Sequence, residues 1–324
     1  MLSEALLNQL SNWHKEKEHG KIQEAILEIP EQERSNELIC LYARALFNED
    51  DYNGAIKALD SISGIYSDNP YFCFRYGFAL YNLHREDEAL GWFKQANEKG
   101  LEEIDETPGT FFPKSVAKWI ERAENWAPRR IEKRVFEAGR RASRNTCAKE
   151  TGLSDFDYEG FWADYEYSFE KYVGCVPTET DIQQTETTLG FRLPKSYKDL
   201  IKQRNGGLLT KCIFMNPMQR DWWPNSFSVE SIYGIDSDKP YSLCGKMGSR
   251  FWIDEWGYPD LGVAICGTMS GGHDMIFLDY SDCGSKGEPC VVHIDQESNY
   301  EITYLADCFD DFVRGLVPMS EDDE

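Results

Sequence analysis

The chain has 324 residues, of which 41% are hydrophobic and 14% aromatic, and this composition excludes a wholly disordered protein. The length predicts about two domains, since a domain averages roughly 150 residues. The longest clean apolar runs, such as residues 261–266, are much shorter than the ~18 residues of a membrane helix, and the first residues lack the pattern of a signal peptide. We therefore expect a soluble, cytoplasmic protein that does not bind membranes.

The formal net charge of −23 is concentrated in the second half of the chain. Residues 1–150 hold 21 Lys and Arg against 26 Asp and Glu, whereas residues 151–324 hold 13 against 31. Such an acidic half repels phosphate backbones and favours basic partners, although solubility alone also explains it. We expect no nucleic-acid ligand. The ten cysteines show no CxxC spacing, which indicates mostly buried thiols and no disulfide framework.

The first half contains a repeat with a period of 34 residues. Small and large side chains alternate at four positions, Ala43, Leu46, Ala55 and Leu59. The same order recurs 34 residues later at Gly77, Leu80, Ala89 and Phe93. This period and order are typical of tetratricopeptide repeats, whose helix pairs bury a face only by stacking. The pattern predicts helices at residues 36–48, 52–61, 70–83 and 85–98. A shorter helix pair is predicted before them at residues 2–18 and 21–29, and capping helices after them at 113–126 and 129–149.

An aromatic stripe lies on the predicted concave side of the second helix pair. Its members are Tyr71, Phe74, Phe78 and Tyr81. Such a stripe can hold a peptide or a partner helix. In a short array the same rings can instead pack against neighbouring helices, so the four residues are partner-binding candidates with a structural alternative.

Residues 129–149 are strongly basic, with eight Lys and Arg side chains against two glutamates. Ile131, Val135, Ala138 and Ala142 recur at helical spacing, which predicts one helix with a cationic outer face. The segment lacks the interleaved aromatic residues of a nucleic-acid patch. We expect the cationic face to be solvated or docked on the acidic second domain.

Two helix signals open the second half of the chain. Thr178 and Asp181 form a capping-box pair before the first helix, and Gly190 supplies its left-handed stop. Leu193 is held extended before Pro194, which is suited to the first position of the second helix.

The second helix and the strands after it complete the predicted domain. Tyr197, Leu200 and Ile201 form the apolar face of that helix, and Asn205-Gly206-Gly207 ends it where positive φ is needed. Short apolar runs then predict strands at residues 261–266, 275–280, 290–295 and 300–305, followed by a helix at 307–316. Helices, a largely antiparallel sheet and a closing helix together indicate an α+β domain.

The order of these motifs resembles the SUKH superfamily, the group that includes the fungal Smi/Knr cell-wall assembly regulators. The resemblance is carried by residues 182–207, IQQTETTLGFRLPKSYKDLIKQRNGG. Residues 161–174, 250–266 and 292–316 are also similar to bacterial members. The matching motif residues are Leu189, Gly190, Leu193, Pro194, Tyr197, Asn205, Gly206 and Gly207.

This resemblance implies a domain that works by binding. Bacterial members look like immunity proteins that mask a cognate toxin, often a nuclease, and fungal members are regulators and scaffolds. Neither role requires catalytic residues or a cofactor. Toxin masking fits the acidity of the second half, because a nuclease active site is a basic cleft that an acidic surface can occupy.

A catalytic or metal site is the competing interpretation. A nucleophile pair could combine Cys266, Cys283 or Cys290 with His273 or His293. A zinc site could be formed by His273, Cys283, Cys290 and His293. Zinc sites normally rely on close paired ligands, and only Cys290 and His293 are close. On a strand those two point to opposite faces. We therefore expect no enzyme activity and no metal.

Further partner-binding candidates lie in predicted loops and turns. Trp222 and Trp223 are adjacent in a loop, where such rings form a binding hot spot or cover the core of their own domain. Glu255, Asp260 and Asp282 stand beside predicted turns, where a solvated charge is an equally good explanation.

Residues 270–284, SGGHDMIFLDYSDCG, have the composition of an active site but the spacing of a turn and a strand. Gly271 and Gly272 supply the turn, and the side chains at 276, 278 and 280 alternate onto one face. We expect Asp274 to hydrogen-bond the backbone of that turn.

Together these patterns predict a tetratricopeptide-like helical domain at residues 1–150, a SUKH-type α+β domain at 160–317 and an acidic tail at 318–324. A turn-rich join at 151–160 separates the two domains. The leading functional hypothesis is a non-enzymatic immunity protein that neutralises a cognate toxin by stoichiometric binding, without a cofactor or a small-molecule substrate. The alternative is an adaptor that recruits a protein partner through the helical groove.

Overall fold

A computed structural model of the chain describes residues 4–104, 113–144 and 152–319. The chain folds into two compact units, Met1–Val135 and Phe136–Glu324. The end of the basic segment, from residue 145, and the acidic tail, from residue 320, lie outside the described residues. The predicted domain borders therefore stay predictions.

The first unit is built of helices. They are α1 (Glu4–Lys15), α2 (His19–Leu27), α3 (Asn36–Phe47), α4 (Tyr52–Asp60), the short α5 (Ser63–Tyr66), α6 (Pro70–Asn82), α7 (Glu86–Glu98) and α8 (Val116–Ser143), which continues into the second unit. Polar side chains accept backbone hydrogen bonds at three helix starts, where Ser35, Asp51 and Asn69 cap α3, α4 and α6. The sequence does not predict the short helix α5, since four residues carry no periodic signal.

The positions that repeat every 34 residues lie in the core of this unit. Ala43, Ala55, Leu59, Ala89 and Phe93 are all fully buried. The small residues allow close approach of the paired helices: a Cβ atom at Gly77 would lie 2.9 Å from the ring of Phe93. The burial explains the period, while the assignment to the tetratricopeptide family stays a prediction.

Helix α8 differs from the prediction in two ways. Residues 116–143 form one helix that continues through Pro128, whereas the sequence pattern predicts two helices. The predicted faces are also wrong. Arg130 and Lys133 are buried, while Ile131 and Val135 are exposed. Because Arg130 contacts a buried carboxylate, ion pairing and not apolar spacing decides which side of α8 faces inward.

The second unit begins with short helices and follows the predicted caps. Helices α9 (Glu166–Lys171), α10 (Glu179–Leu189) and α11 (Lys195–Gln203) precede the strands, and α12 (Ser249–Asp254) and α13 (Phe309–Arg314) lie further along the chain. Thr178 and Asp181 form a complete capping box, and Gly190 ends α10 with φ 78°. Pro194 stands at the N-cap of α11, one position before the predicted one.

Two antiparallel sheets lie in the second unit. The larger has the order β1 (Gly207–Leu208), β4 (Ser231–Ile232), β5 (Gly262–Gly267), β6 (Asp274–Asp279), β7 (Cys290–Asp295), β8 (Glu301–Ala306). The smaller has the order β3 (Ser226–Ser228), β2 (Ile213–Met215), β9 (Leu316–Val317). The predicted fold class, a helical region followed by an α+β domain with a largely antiparallel sheet, is confirmed.

The core of the second unit joins the helices to the larger sheet. Tyr197, Leu200 and Ile201 of α11 are fully buried, as their spacing predicts. The Tyr197 hydroxyl donates a 2.6 Å hydrogen bond to the carbonyl oxygen of Tyr233, so even the polar end of this ring is satisfied inside the core. Within the described part of the chain, every helix is too short or too polar to cross a bilayer.

Candidate protein-interaction surface

The short helix α9 leaves large apolar side chains exposed. Tyr165, Tyr167 and Phe169 are exposed, and Val176, a few residues beyond the helix, is 71% exposed. The helix is held by its one buried residue, Ser168, whose hydroxyl accepts a hydrogen bond from the backbone of Leu208 at 3.1 Å. Clusters of exposed apolar side chains mark interaction sites more often than isolated ones do.

A half-open cleft of about 330 Å³ is lined by residues that begin shortly after this helix, at Cys175. Lys239 connects the two features, because its ammonium group donates to the carbonyl oxygens of Phe169 and Glu170 at the end of α9. The residues that line the cleft are Cys175, Val176, Pro177, Asp181, Asn205, Ile235, Asp236, Ser237 and Asp238. The exposed residues Tyr165, Tyr167, Phe169 and Val176, together with the carboxylates Asp181, Asp236 and Asp238, are called the aromatic–acidic surface below.

Asn205 organises the floor of the cleft. Its side-chain amide donates to the carbonyl oxygen of Cys175 at 2.7 Å, and its side-chain oxygen accepts from the backbone of Ile235 at 2.8 Å. Gly206 has a φ of 86°, and a Cβ atom there would lie 2.6 Å from the backbone nitrogen of Gly234. The Asn-Gly-Gly motif therefore positions the segments on both sides of the cleft.

The carboxylates of the cleft are oriented by local hydrogen bonds. Asp181 accepts from the side chain and the backbone of Thr178, and these bonds lower the pKa of its carboxyl group. Asp236 accepts from the backbone of Cys175 at 3.1 Å. Nearby, Lys171 pairs with Glu170 on α9 itself. The cleft therefore presents oriented carboxylates, and negative charge of this kind suits a basic protein partner.

The predicted aromatic stripe of the helical unit is largely internal. Phe74 and Phe78 are buried, and both rings contact Trp119 of α8 at centroid distances of 6.1 and 5.2 Å. Tyr81 is half-buried against the same indole at 5.3 Å. Tyr71 alone of the four is exposed. The two phenylalanines are therefore core residues, because α8 covers the side of α6 on which they lie.

The predicted loop residues are placed separately from the aromatic–acidic surface. Trp222 and Trp223 lie in the connection between β2 and β3, half-buried and edge-to-face at a centroid distance of 5.7 Å. Asp260 pairs with Arg250 at 3.0 Å, and Asp282 pairs with Arg141 at 2.5 Å. Glu255 is exposed at the end of α12. Two of these three carboxylates are thus already engaged within the chain.

The residues of the SGGHD stretch stabilise the start of β6. Gly272 adopts a φ of 108°, and a Cβ atom there would lie 2.5 Å from the ring of Trp252. The Asp274 carboxylate accepts from Thr268 at 2.7 Å and lies 2.6 Å from Nε2 of His293. Burial raises the pKa of Asp274, but these hydrogen bonds and one with Ser270 outweigh it and lower the pKa. The Asp274 carboxylate is therefore bonded to side chains, whereas the sequence predicts a hydrogen bond to the backbone of the turn.

Of the thiols considered as nucleophiles, those of Cys266 and Cys290 are buried and that of Cys283 is half-buried. Burial raises the pKa of Cys290 to about 12, and it also raises the pKa values of Cys266 and Cys283. A thiol with a raised pKa stays protonated near neutral pH and is a poor nucleophile. Across residues 4–104, 113–144 and 152–319, three or more His, Cys, Asp or Glu side chains do not come together in a geometry that could hold a metal ion.

Sequence reasoning missed the aromatic–acidic surface. Its signal is present in residues 164–170, DYEYSFE, where aromatic and polar residues alternate over a helix too short to bury them. The Asn205-Gly206-Gly207 motif is predicted only as a helix stop. Its second role depends on residues 30 positions away on either side, which local patterns do not reveal.

The fold defines a protein with a helical region followed by an α+β domain that contains a largely antiparallel sheet. Residues 179–313 match the SUKH_6 family model, described as SMI1-KNR4 cell-wall. This match supports the SUKH superfamily for the α+β domain. The matched range begins after the exposed residues Tyr165, Tyr167 and Phe169. A search of curated proteins returned no significant match to this chain.

Proposed function

We propose that this chain is an immunity protein that neutralises a cognate bacterial toxin by stoichiometric binding, without catalysis or a cofactor. The observation that carries the proposal is the aromatic–acidic surface, which combines the exposed rings of the α9 region with a cleft lined by three carboxylates. The family match supports a protein of the SMI1-KNR4 type. The toxin, its basic character and a nuclease activity are part of the proposal.

Each half of the surface has a physical role in this proposal. Tyrosine and phenylalanine supply large contact areas at low entropic cost, so Tyr165, Tyr167 and Phe169 act as anchors in the centre of the interface. The carboxylates of the cleft attract the basic partner over a distance and bind its Lys or Arg side chains on contact. A toxin with a basic cleft would be covered before it reached its substrate. This action takes place in the cytoplasm of the cell that carries the toxin.

The test uses the toxin candidate encoded by the neighbouring gene. Wild-type chain should restore growth when it is co-produced with that protein, and the two should form a one-to-one complex. The double variant Tyr165→Ala/Tyr167→Ala should bind about 30-fold more weakly or worse, as expected for hot-spot rings. Met269→Ala is the matched control, since Met269 is an exposed apolar residue elsewhere in the same unit.

Two outcomes would contradict the proposal. One is loss of rescue in the Met269→Ala control but not in the tyrosine variant. The other is an affinity that does not fall as the salt concentration rises, because a charge-steered complex weakens with screening.

A second candidate function is an adaptor that recruits a partner through a tetratricopeptide-like helical unit. A half-open cavity of about 400 Å³ favours it. The cavity is lined by Ile26, Glu31, Arg34, Ile39, Tyr42, Gly54, Lys57, Ala58 and Ser61, so it lies along α2 to α4 and not along the aromatic stripe of α6. An adaptor predicts that Tyr42→Ala disrupts partner binding while the Tyr165→Ala/Tyr167→Ala variant does not.

A further inference from the structure

We propose that the small cavity at the start of α11 binds hydrogen phosphate, whose own P–OH group donates a hydrogen bond to Glu288. Basic side chains and the first turn of the helix hold the other oxygens of the anion. The cavity has a volume of about 10 Å³, which accommodates one oxygen atom of the anion, and it is lined by residues 192–195 and 286–288. This site does not depend on the toxin of the proposed function.

Glu288 is the residue that points to a bound molecule. Only 9% of it is exposed, and its Oε1 is buried without a hydrogen-bond partner among the described residues. A buried oxygen without a donor is costly, so proteins supply that donor from the chain itself, from water or from a bound ion. Because Glu288 lines the cavity, a molecule that fills the cavity can supply the missing donor.

The start of α11 supplies hydrogen-bond donors for an anion. The helix has nine residues, Lys195–Gln203, and no side chain of the described residues caps its start. The first N–H groups of a helix have no partner within it, and they carry the positive end of the helix dipole. Residues 193–195 line the cavity, so an anion there can accept hydrogen bonds from this end of the helix.

Three basic side chains line the same cavity. Arg192 and Lys286 are exposed, and Lys195 is half-buried. Lys195 pairs with Asp199 at 2.7 Å, whereas Lys286 forms no ion pair with the described residues. Lys286 can therefore contact an anion without leaving a carboxylate of the chain. The walls of the cavity are thus cationic, although residues 151–324 as a whole hold 13 basic side chains against 31 acidic ones.

The carboxyl group among these cations selects the kind of anion. Burial raises the pKa of Glu288 to about 7, so at pH 8 this group is mainly ionised and can only accept hydrogen bonds. Sulfate has no proton to donate at this pH and is repelled by the carboxylate. Hydrogen phosphate keeps one proton, so its P–OH donates to Glu288 while its other oxygens accept from the helix start and the basic side chains.

The charge of Glu288 also makes the selectivity depend on pH. Below its pKa the carboxyl group carries its own proton and can donate to sulfate as well as to phosphate. The titratable and charged groups that act on Glu288 or respond to it are Arg144, Arg192, Lys198, Tyr280, Cys283 and Asp310. Burial raises the pKa values of the tyrosine and the thiol, so both stay neutral. Glu288 is therefore the group in this cluster that changes its charge between pH 5.5 and 8.

The experiment compares two anions on the full-length chain. Isothermal titration calorimetry measures the binding of inorganic phosphate and of sulfate at pH 8 and at pH 5.5, at constant ionic strength. At pH 8 phosphate should bind at least about tenfold more tightly than sulfate. At pH 5.5 this ratio should fall below about threefold, because protonated Glu288 donates to either anion. Equal binding of the two anions at pH 8, or no binding of phosphate, as expected for a cavity that holds only water, would overturn the inference.

Two variants test whether this cavity is the site. Glu288→Gln offers an amide donor in place of the carboxylate, so sulfate binding at pH 8 should rise about tenfold and the preference for phosphate should be lost. Lys286→Ala should weaken the binding of both anions about fivefold or more, and it tests the site independently because the side chain is exposed.

Lys246→Ala is the matched control, since Lys246 is another exposed lysine of the same unit and does not line the cavity. This variant should bind both anions as the wild-type chain does. Equal losses in the two lysine variants would show general attraction of anions and refute the site. Unchanged selectivity in a folded Glu288→Gln chain, with circular dichroism as the measure of folding, would refute it as well.

Discussion

Arg130 of α8 and Glu86 of α7 form a buried ion pair, in which Nε of Arg130 lies 3.0 Å from a carboxylate oxygen of Glu86. Only 8% and 4% of the two side chains are exposed. A second guanidinium nitrogen of Arg130 lies 2.8 Å from Nδ1 of His84. These contacts fix α8 against the start of α7 and turn a basic residue toward the interior.

Replacement of Arg130 by Ala should lower the free energy of unfolding of the helical unit by about 3–5 kcal/mol. The cause is the charge of Glu86, which would remain buried without its partner. Urea denaturation followed by circular dichroism measures the change. Arg134→Ala is the matched control, since Arg134 pairs with Asp87 in a half-exposed position and should cost less than about 1 kcal/mol. Equal losses would show that burial of the pair is not the deciding factor.

Glu288 should make stability depend on pH in a direction opposite to that of most carboxylates. Burial raises the pKa of Glu288 to about 7 from an ordinary value of 4.5, although Arg192, Arg144 and Lys198 oppose the rise. Oε1 of Glu288 accepts no hydrogen bond from the described residues. The folded chain therefore binds this proton more tightly than the unfolded chain does, and the stabilisation is lost as the pH rises from about 4.5 through 7.

Glu288→Gln should consequently raise the free energy of unfolding by up to about 3 kcal/mol at pH 8 and leave it unchanged at pH 4. Denaturant titrations at pH 4, 6 and 8 measure this difference. The exposed Glu255→Gln should show no comparable trend. A Glu288→Gln variant that is less stable than wild type at pH 8 would mean that the carboxylate is charged and satisfied in the fold.

Gly77 should tolerate no added methyl group, whereas Gly91 should. At Gly77 a Cβ atom would lie 2.9 Å from the Phe93 ring, while at Gly91 on α7 it would meet nothing within 4 Å. Gly77→Ala should destabilise the helical unit by about 1–3 kcal/mol through overpacking. Gly91→Ala should stabilise it by roughly 0.5–1 kcal/mol, because alanine restricts the unfolded chain and favours helix. Thermal unfolding of both variants tests the pair, and a stable Gly77→Ala chain would contradict the close approach of α6 and α7.

His293 should matter for the fold, and His273 should not. His293 contacts the Asp274 carboxylate at 2.6 Å and the Phe227 ring at a centroid distance of 4.5 Å, whereas the side chain of His273 is 52% exposed. His293→Ala should cost about 2 kcal/mol, since the half-buried Asp274 carboxylate loses one of its partners, and His273→Ala should change stability by less than about 0.5 kcal/mol. Denaturant midpoints of the two variants give the comparison. Similar midpoints would remove the structural role of the Asp274–His293 contact.

The local elements of the second unit were predictable because short-range chemistry defines them. The Thr178–Asp181 capping box, the Gly190 stop and the apolar face of Tyr197, Leu200 and Ile201 all lie where the spacing of the residues places them. Each depends on neighbours within one or two helical turns, so backbone sterics and side-chain reach decide it without tertiary context.

The candidate sites were less predictable because their parts are far apart in the sequence. Asp274 and His293 meet only because β6 and β7 are adjacent, and Arg141 reaches Asp279 across 138 residues. The aromatic stripe of α6 has the pattern of a surface, but Trp119 covers Phe74 and Phe78. Whether a ring or a charge is exposed depends on what packs over it, which composition and periodicity do not contain.

By itself, the sequence determined the helical character of the first unit, the caps and turns of the α+β domain and the concentration of negative charge in the second half. These follow from residue size, backbone freedom and net charge, which are local or additive properties. Only the tertiary structure decided that Arg130 faces inward, that Tyr165 and Tyr167 stay exposed, and that Arg141 pairs with two carboxylates. Those outcomes depend on long-range burial and ion pairing, where the cost of an unpaired charge outweighs local preference.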